Sequence, residues 1–250
     1  MTTGVQSVER GFHLLELLAD AGGELTLSDL ATASGLAPAT IHRLLGTLAA
    51  GGYVRQQPSR KYALGPRLIR LGEAAGQALG GWVRPYLARL TRAVGETSNM
   101  AILDGLQVVY VAQVPSPHPM RMFTEVGRRV DVHCTAVGKA ILTQFPAEDV
   151  DHLLANLDMR PQTERTITDP DTFRAELHTT AARGYAVDDG EQEIGVRCVA
   201  VAVPHAPTGT AISISGPDAR MSALDPVTVV PLMREIAQIL SGQLSASVEV

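Results

Sequence analysis

The chain has 250 residues, of which 45% are hydrophobic and 19% are charged, and its formal net charge is −5. This composition excludes wholesale disorder, and the length allows two domains that each bury a core. No apolar run approaches the roughly 18 residues that a membrane span needs, so no membrane partner is expected. Because Glu9, Arg10 and Glu16 occupy the place of an uncharged signal core, the expected location is the cytoplasm.

The first predicted element is an amphipathic helix over residues 7–21, which Gly22 and Gly23 end. Its apolar side chains recur at helical spacing and are expected to pack on the two helices that follow. These side chains are Val8, Phe12, Leu14, Leu15, Leu17 and Leu18.

Two short helices are predicted next, between residues 25 and 48. Thr26 can cap the first of them, and Gly35 can adopt the left-handed conformation that ends it. Pro38 suits the first turn of the second helix, because its missing N–H would have no partner there. The inward positions of the second helix, at spacings of three and four, are Ile41, Leu44, Leu45 and Leu48.

The outward face of this second helix carries small, hydrogen-bonding or cationic side chains, as a helix that enters the DNA major groove requires. The candidate DNA-binding residues on it are Ala37, Pro38, Ala39, Thr40, His42, Arg43 and Thr47. Two extended runs follow, joined by a polar turn, and Arg60 and Lys61 at this turn are candidate phosphate contacts. Helix, turn, helix and hairpin together predict a winged helix-turn-helix that binds double-stranded operator DNA.

The charge distribution supports this prediction. No Asp or Glu occurs between Leu30 and Gly72, whereas six Lys or Arg residues do. Residues 1–75 carry seven bases and six acids, and residues 76–250 carry fourteen bases and twenty acids. Only the N-terminal part therefore has an electrostatic surface suited to phosphates.

A linking helix is predicted over residues 65–81, with Leu68, Leu71, Ala75 and Leu79 on one side. Two copies of this helix are expected to pack together in a homodimer, because a two-fold operator needs two DNA-reading helices one turn of DNA apart. From Trp82 onward, helices and strands alternate irregularly, which indicates an α+β domain. Helices are predicted over 85–94, 135–145, 147–157, 170–183 and 226–244. Strands are predicted over 100–103, 108–113, 120–126, 185–188, 197–204 and 210–215, with Asp104-Gly105 as a hairpin turn.

The two cysteines, Cys134 and Cys198, open two alternatives. With His133 and His205 they could form the site of a metal-responsive sensor, although their spacing matches no common zinc motif. Cys198 could also act as the nucleophile of a Cys/His-dependent enzyme, with His133 or His205 and Asp188, but no strained turn motif surrounds it. Buried thiols are the simpler interpretation. We therefore assign no catalytic residue, metal or cofactor.

Six segments of the chain match one known family. They are VQSVERGFHLLELL, SGLAPATIHRLLGTLAAGGYV, KYALGPRLIRLG, VGRRVDVHCTAVGKAIL, RGYAVDDGEQEIGVRCVAVAV and ISISGP. The chain resembles, nearly end to end, the IclR-type bacterial transcriptional regulators. The resemblance implies a winged helix-turn-helix domain (residues 1–64), a linker and dimerisation helix (65–81) and a GAF-like effector-binding domain with a mixed sheet (82–250). It also implies a ligand-controlled regulator, expected to be a repressor, that acts as a homodimer or a dimer of dimers.

The resemblance further implies an effector pocket beside the helix of the TAVGKA segment. Relatives that bind small keto acids use an acid, a cysteine about ten residues later and two serines in the next strand. The effector residues implied for this chain are Thr135, Ala136, Val137, Asp188, Cys198, Ser213 and Ser215.

Within this pocket, the free N–H groups of a helix N-terminus favour a carboxylate. Asp188 would repel that carboxylate, so it is expected to accept a hydrogen bond from a hydroxyl at the other end of the ligand. No Lys or Arg is assigned to the pocket. The expected effector is a small carboxylate such as glyoxylate or a related 2-oxo or 2-hydroxy acid.

Overall fold

A computed structural model describes residues 4–122 and 125–246. The chain divides into two compact units, of which the first ends at Ala75 and the second begins at Gly76. Each unit has its own hydrophobic core. Within the described ranges, none of the helices combines the length and hydropathy needed to cross a bilayer.

The N-terminal unit contains three helices and a small antiparallel sheet. Its helices are α1 (Gln6–Asp20), α2 (Leu27–Ser34) and α3 (Pro38–Ala50). Its strands are β1 (Glu24–Leu25), β2 (Val54–Gln56) and β3 (Tyr62–Leu64), in the order β1-β3-β2. The predicted helix pair and wing hairpin are therefore present, and β1 adds a strand that the sequence pattern did not indicate.

Local sequence explains where the helix pair begins and ends. The Thr26 side chain accepts from the Asp29 N–H while Asp29 accepts from the Thr26 N–H, so two free donors at the start of α2 are satisfied. Gly35 ends α2 in the left-handed conformation with φ 66°, and Pro38 opens α3 three residues later. The turn between the two helices is consequently short and fixed.

The packing of α1 differs from the prediction. Leu14, Leu15 and Leu18 are buried, but Val8 and Phe12 are 52% and 62% exposed. The apolar stripe of α1 is wider than the surface that α2 and α3 offer to it, so its N-terminal end remains uncovered. Val8 and Phe12 instead line an open groove of about 450 Å³ with Leu44, Leu48 and neighbouring residues of α1 and α3.

The predicted linking helix is α4 (Arg67–Leu79), and the boundary between the two units falls within it. Leu68 packs against the N-terminal core, so it does not belong to a free apolar face as the sequence pattern suggested. Ile69 and Leu71 are exposed. The side chain of Leu79 lies outside the described part of the chain. The role of this helix in dimerisation stays a prediction.

The C-terminal unit is a sheet with helices on both faces. Its helices are α5 (Arg84–Val94), α6 (Ala136–Leu142), α7 (Ala147–Leu154), α8 (Pro170–Arg183), α9 (Asp218–Met221) and α10 (Pro226–Ala246), and a single 3-10 turn (Gly81–Val83) precedes α5. Its strands are β4 (Thr97–Asp104), β5 (Gln107–Val114), β6 (Arg129–Asp131), β7 (Ala186–Asp189), β8 (Val196–Ala202) and β9 (Thr210–Pro217). In the described residues the strand order is β6-β5-β4-β9-β8-β7.

The α+β class is confirmed, but the sheet is not mixed in strand direction. Every pairing between neighbouring strands of the described sheet is antiparallel. Successive side chains of each strand therefore alternate between two different cores. Ile212 and Ile214 of β9 pack in the core with α5 and α10, whereas Ala211 of β9 packs in the core with α6, α7 and α8.

The strand predicted over residues 120–126 is wrong. Its described residues, 120–122 and 125–126, are irregular, and Phe123 and Thr124 lie outside the described residues. Prolines at 115, 117 and 119 lack the N–H groups that a strand needs, so β5 ends at Val114 and the chain enters this segment in an irregular conformation. Pairing with β5 begins only after the turn at Gly127, at Arg129. Helix α6 is also shorter than predicted, because it ends at Leu142.

Helix α6 packs closely against Val132, which follows β6, and Gly138 is the residue of α6 at this contact. A Cβ at Gly138 would collide with the Val132 carbonyl oxygen, so we expect Gly138→Ala to lower the free energy of unfolding by about 1–3 kcal/mol. A Cβ at Gly242 in α10 meets nothing within 4 Å, so Gly242→Ala should be neutral or stabilise by up to about 1 kcal/mol. Urea denaturation measures both variants. Equal stability of Gly138→Ala and the wild type would contradict this packing.

Candidate functional site

Helix α3 presents the residues predicted to read DNA. His42, Arg43 and Thr47 are exposed, and Thr40 is half-buried. The Thr47 hydroxyl donates to the Arg43 carbonyl at 3.2 Å, so its hydrogen is already used within the helix. Ala37 precedes the helix in an extended conformation, and Pro38 occupies the first turn. The exposed end of α3 therefore combines little steric bulk with one cation.

The two bases predicted at the tip of the wing hairpin, Arg60 and Lys61, have different surroundings. Arg60 lies in the turn with φ 64°, and its side chain is exposed. Lys61 donates to Glu24 Oε1 at 2.8 Å, which raises the pKa of Lys61. Lys61 is thus partly neutralised within the unit, in contrast to the sequence expectation that it would resemble Arg60. Arg67 is similarly engaged, because its guanidinium lies 5.4 Å from the Tyr53 ring centre.

In the C-terminal unit, strand register assembles a row of polar side chains on the sheet face that α6 covers. Asp188 on β7 pairs with Cys198 on β8, Cys198 pairs with Ser215 on β9, and Ser215 pairs with Thr97 on β4. All four side chains are buried. Ser213 lies two residues along the same face of β9 and is also buried. We call these five residues the polar row.

Asp188 is the acidic end of the polar row. Its Oδ1 atom accepts from the backbone N–H of Glu191 at 2.7 Å and of Gln192 at 3.4 Å. Burial raises its pKa from 3.8 to about 6 despite these hydrogen bonds. The carboxyl group can therefore be protonated or ionised near neutral pH, depending on what binds beside it.

Beside the other end of the polar row lie two amide side chains that the sequence did not indicate, Asn99 and Gln113. Asn99 Nδ2 lies 3.4 Å from Ser213 Oγ and 3.3 Å from Ser215 Oγ, and Gln113 Nε2 donates to Asn99 Oδ1 at 3.0 Å. The predicted strand began at Met100, one residue after Asn99. Polar residues at alternate positions of β4, Thr97 and Asn99, were the signal that could have revealed this part of the site.

At the start of α6, Thr135 acts as the helix cap. Its hydroxyl donates to the Asp131 carbonyl at 2.9 Å and accepts from the Gly138 N–H at 3.3 Å. The side chain is consequently occupied within the fold, whereas the sequence analysis assigned it to the ligand. Ala136 and Val137 are buried in the core between α6 and the sheet. A helix of seven residues carries a smaller dipole than the predicted helix of eleven.

Lys139 is a buried cation that the sequence analysis did not assign to the site. Its ammonium donates to Glu191 Oε1 at 2.5 Å and to the Val187 carbonyl at 2.8 Å, and it lies 3.8 Å from Glu176. Burial raises the pKa of Glu191, and its Oε2 atom has no hydrogen-bond partner among the described residues. Lys139 thus joins α6 to the loop whose backbone N–H groups hold Asp188. The available signal for Lys139 in the sequence was a lysine between two small residues, Gly138 and Ala140, on a helix that is buried.

Tyr110 on β5 was also not identified from the sequence. Burial raises the pKa of its hydroxyl, and the negative charge of Asp188 raises it further. The side chain therefore stays a neutral hydroxyl close to the polar row. It can donate or accept a hydrogen bond there.

The two cysteines have the properties of buried thiols. Burial raises the pKa of Cys134 to about 12, and burial together with Asp188 raises the pKa of Cys198. Since the thiolate is the reactive form, these surroundings oppose nucleophilic catalysis. Among the described residues, the ligand atoms of Asp131, His133 and Cys134 lie within 4.8 Å of one another, and neither Cys198 nor His205 belongs to this group.

A winged helix-turn-helix, followed along the chain by an α+β domain that encloses a polar cluster, defines a DNA-binding transcriptional regulator. Family models agree with this class. The model of the IclR helix-turn-helix domain matches residues 7–58, and the model of the bacterial transcriptional regulator IclR C-terminal domain matches residues 77–242. The chain belongs to the IclR family of bacterial transcriptional regulators.

Relatives with established names cover most of the chain. It is 37% identical to the transcriptional repressor IclR of Escherichia coli over 88% of this chain and 83% of that protein. It is 34% identical to the transcriptional regulator BhcR of Paracoccus denitrificans over 94% of this chain and 87% of that protein. These relatives regulate transcription, and the chain is a regulator of this kind and not a Cys/His-dependent enzyme.

Solved structures show the same fold. A transcriptional regulator from Rhodococcus sp. RHA1 is 34% identical, with a TM-score of 0.80 over 98% of this chain and 100% of that chain. An IclR homologue from Microbacterium hydrocarbonoxydans, in complex with 4-hydroxybenzoate, has a TM-score of 0.79 over 96% of this chain and 99% of that chain. At 23% identity, this second likeness concerns the fold alone.

The Lys139–Glu191 ion pair gives a stability prediction. Lys139→Met leaves Glu191 buried without its cation, so we expect the free energy of unfolding to fall by about 3–5 kcal/mol at pH 8. Burial raises the pKa of Glu191 and Lys139 lowers it, so removing Lys139 raises this pKa further and favours protonation of Glu191 in the folded variant. The loss should therefore be smaller at pH 5. Urea denaturation at both pH values measures this difference.

The double variant Lys139→Met/Glu191→Leu is the matched control, because it removes both charges. It should recover most of the lost stability and should show a weaker dependence on pH. A double variant no more stable than Lys139→Met would mean that packing, and not the unpaired carboxylate, causes the loss.

Proposed function

We propose that the protein is a transcriptional repressor whose affinity for operator DNA is controlled by a small carboxylate of the 2-oxo or 2-hydroxy acid class, such as glyoxylate. The observation that carries the proposal is the buried polar row from Asp188 to Thr97. Burying a polar side chain costs free energy unless the side chain is hydrogen-bonded or binds a ligand. This row lies on a sheet face where the neighbouring residues include small apolar side chains. The names of two relatives, transcriptional repressor IclR and acetate operon repressor, support repression.

The proposed contacts follow from the chemistry of the two ends of the row. Ser213 and Ser215 would donate to the effector carboxylate, together with the backbone N–H groups of Ala136 and Val137. Asp188 would bind the oxygen on the neighbouring carbon. The full proposed set is Thr135, Ala136, Val137, Asp188, Cys198, Ser213 and Ser215, in which Thr135 acts through the helix cap and Cys198 as an apolar wall.

The enclosure of the row favours a small effector. Asp188, Ser213 and Ser215 are each at most 2% exposed, and the neighbouring inward positions of the sheet are alanines at 101, 200 and 211. A ligand of about two or three carbons bearing hydrogen-bonding groups at both ends would satisfy these groups without displacing the core.

Operator binding is proposed to use the exposed end of α3 and the wing. The contacts are Ala37, Pro38, Ala39, Thr40, His42, Arg43, Thr47, Arg60 and Lys61, of which Arg43 is the candidate for base recognition and Arg60 for a phosphate. The protein is proposed to act as a homodimer or a dimer of dimers. The exposed apolar side chains Ile69 and Leu71 of α4 support this, since they would be covered by a second copy.

Arg43 and Arg60 are expected to differ in what they contribute to DNA binding. Arg43→Ala should weaken the best operator by about 10-fold to 100-fold, because a lost base contact costs on the order of 1–3 kcal/mol. Arg60→Ala should weaken all sequences alike and lower the slope of binding against salt by about one. Lys61→Ala should have a smaller effect, because Lys61 is already paired with Glu24.

Binding sites selected by the wild type from a random DNA pool provide the operator, and titrations at several salt concentrations measure the variants. Thermal melts check that each variant is folded. If Arg43→Ala binds the selected sites as tightly as the wild type does, α3 does not read the bases through Arg43.

Asp188→Asn distinguishes hydroxy acids from oxo acids. An ionised Asp188 accepts from the hydroxyl of glycolate, so the variant should bind glycolate about 10-fold to 100-fold more weakly. The carbonyl of pyruvate only accepts, so Asp188 must donate as the neutral acid, and the variant should bind pyruvate as well as the wild type does. Titration calorimetry of the full chain measures both ligands. Unchanged affinity for both would place Asp188 outside the effector site.

The raised pKa of Asp188 adds a pH test of the same pair of ligands. Because its folded pKa is about 6, the wild type should bind pyruvate more tightly as pH falls from 8 to 5.5, and the variant should lose this dependence. Cys198 and Tyr110 stay protonated over this range, and the Lys139–Glu191 pair is present in both proteins. For the regulator as a whole, the effector that binds should change operator affinity by about 1–3 kcal/mol.

A further inference from the structure

We infer that Asn99 and Gln113 are positioning residues that direct the hydroxyl hydrogens of Ser213 and Ser215, and that this direction makes the effector site select a carboxylate over a carboxamide. The inference rests on the proposed effector site and adds the determinant of its ligand class. It is carried by the hydrogen bonds of four side chains on three neighbouring strands.

Strand register brings these side chains together. Asn99 on β4 pairs with Gln113 on β5 on one side and with Ser213 on β9 on the other. Ser215 lies two residues further along β9 on the same face. Asn99 is fully buried, whereas Gln113 is only half-buried and is linked to the row by its hydrogen bond to Asn99.

The direction of each hydrogen bond follows from the amide groups. A carboxamide has one acceptor oxygen and one donor nitrogen with two hydrogens. Since Gln113 Nε2 donates to Asn99 Oδ1 at 3.0 Å, the Asn99 nitrogen faces the serines, 3.4 Å from Ser213 Oγ and 3.3 Å from Ser215 Oγ. Both serine oxygens accept from Asn99, so each serine keeps its own O–H hydrogen to donate elsewhere.

Two hydroxyl donors on one sheet face match the two acceptor oxygens of a carboxylate. In the strand register the Ser215 hydroxyl lies opposite the Cys198 thiol. A thiol is a weak acceptor, so little is lost when this hydroxyl turns to a carboxylate. If Asn99 were reversed, both hydroxyls would donate to its oxygen and would offer only lone pairs to the ligand. Such a site would favour a carboxamide, which can donate.

Gln113→Glu tests this direction without changing a group proposed to touch the effector. A carboxylate at position 113 only accepts, so Asn99 must turn its nitrogen toward it and its oxygen toward the serines. We expect glycolate to bind about 100-fold more weakly, since two donors to a charged ligand are lost. Glycolamide, in which an amide replaces the carboxylate, should keep or gain affinity. Titration calorimetry of the full chain with both ligands gives the ratio of glycolate affinity to glycolamide affinity.

Gln107→Glu is the matched control, because it makes the same change on the same strand. Gln107 donates to Asp131 and has no contact with Asn99, so this variant should keep the wild-type ratio of glycolate to glycolamide affinity. Gln113→Leu separates direction from charge, because it removes the donor to Asn99 Oδ1 without adding a charge. It should bind glycolate more weakly than the wild type does, whereas simple repulsion by a charge at position 113 predicts no loss in this variant.

The outcomes separate this inference from the function on which it rests. A wild type that binds neither glycolate nor pyruvate overturns the proposed effector class, and the inference falls with it. A wild type that binds glycolate, while Gln113→Glu keeps the same preference for acid over amide, overturns the inference alone. Asn99→Asp is a second variant with the same expectation, because it places a fixed acceptor against both serines.

Discussion

The C-terminal domain depends on the cost of burying polar groups in a sheet. An unpartnered polar side chain loses several kcal/mol on burial, so each one on an inward face must be hydrogen-bonded or must bind a ligand. Here the antiparallel register of five strands brings such groups next to one another. Asn99 satisfies the two serines, and the loop after β7 satisfies Asp188. The cluster is thereby stabilised within the fold, while the serines accept from Asn99 and keep their own hydrogens to donate.

The sequence predicted the order of elements well, because their signals are local. Thr26, Gly35 and Pro38 mark helix ends through backbone chemistry that neighbouring residues decide. The sequence did not predict Asn99 or Lys139 as parts of the site. Asn99 depends on which strand pairs with β9, and the role of Lys139 depends on where the loop carrying Glu191 folds back. Both are long-range facts, and no spacing along the chain encodes them.

The errors in the N-terminal unit have a related cause. Helical periodicity identifies an apolar face but does not say how much of that face a partner covers, so Val8 and Phe12 were assigned to a core that they do not enter. Counting bases along the chain likewise does not show which are already paired. Lys61 and Arg67 are committed to Glu24 and to Tyr53. Of the six bases between Leu30 and Gly72, the more available cations are therefore Arg43, Arg55, Arg60 and Arg70.

Successive side chains of β9 face opposite sides of the sheet. Ser213 and Ser215 face α6, whereas Ile212 and Ile214, their neighbours in sequence, face the opposite core. A substitution at either serine changes the polar row without a direct contact to the core that α5 and α10 cover. A short segment of one central strand can thus diverge in chemistry at every second residue, while the residues between continue to hold the domain together. If the proposed effector site is correct, new ligand preferences are accessible through single mutations that leave the scaffold intact.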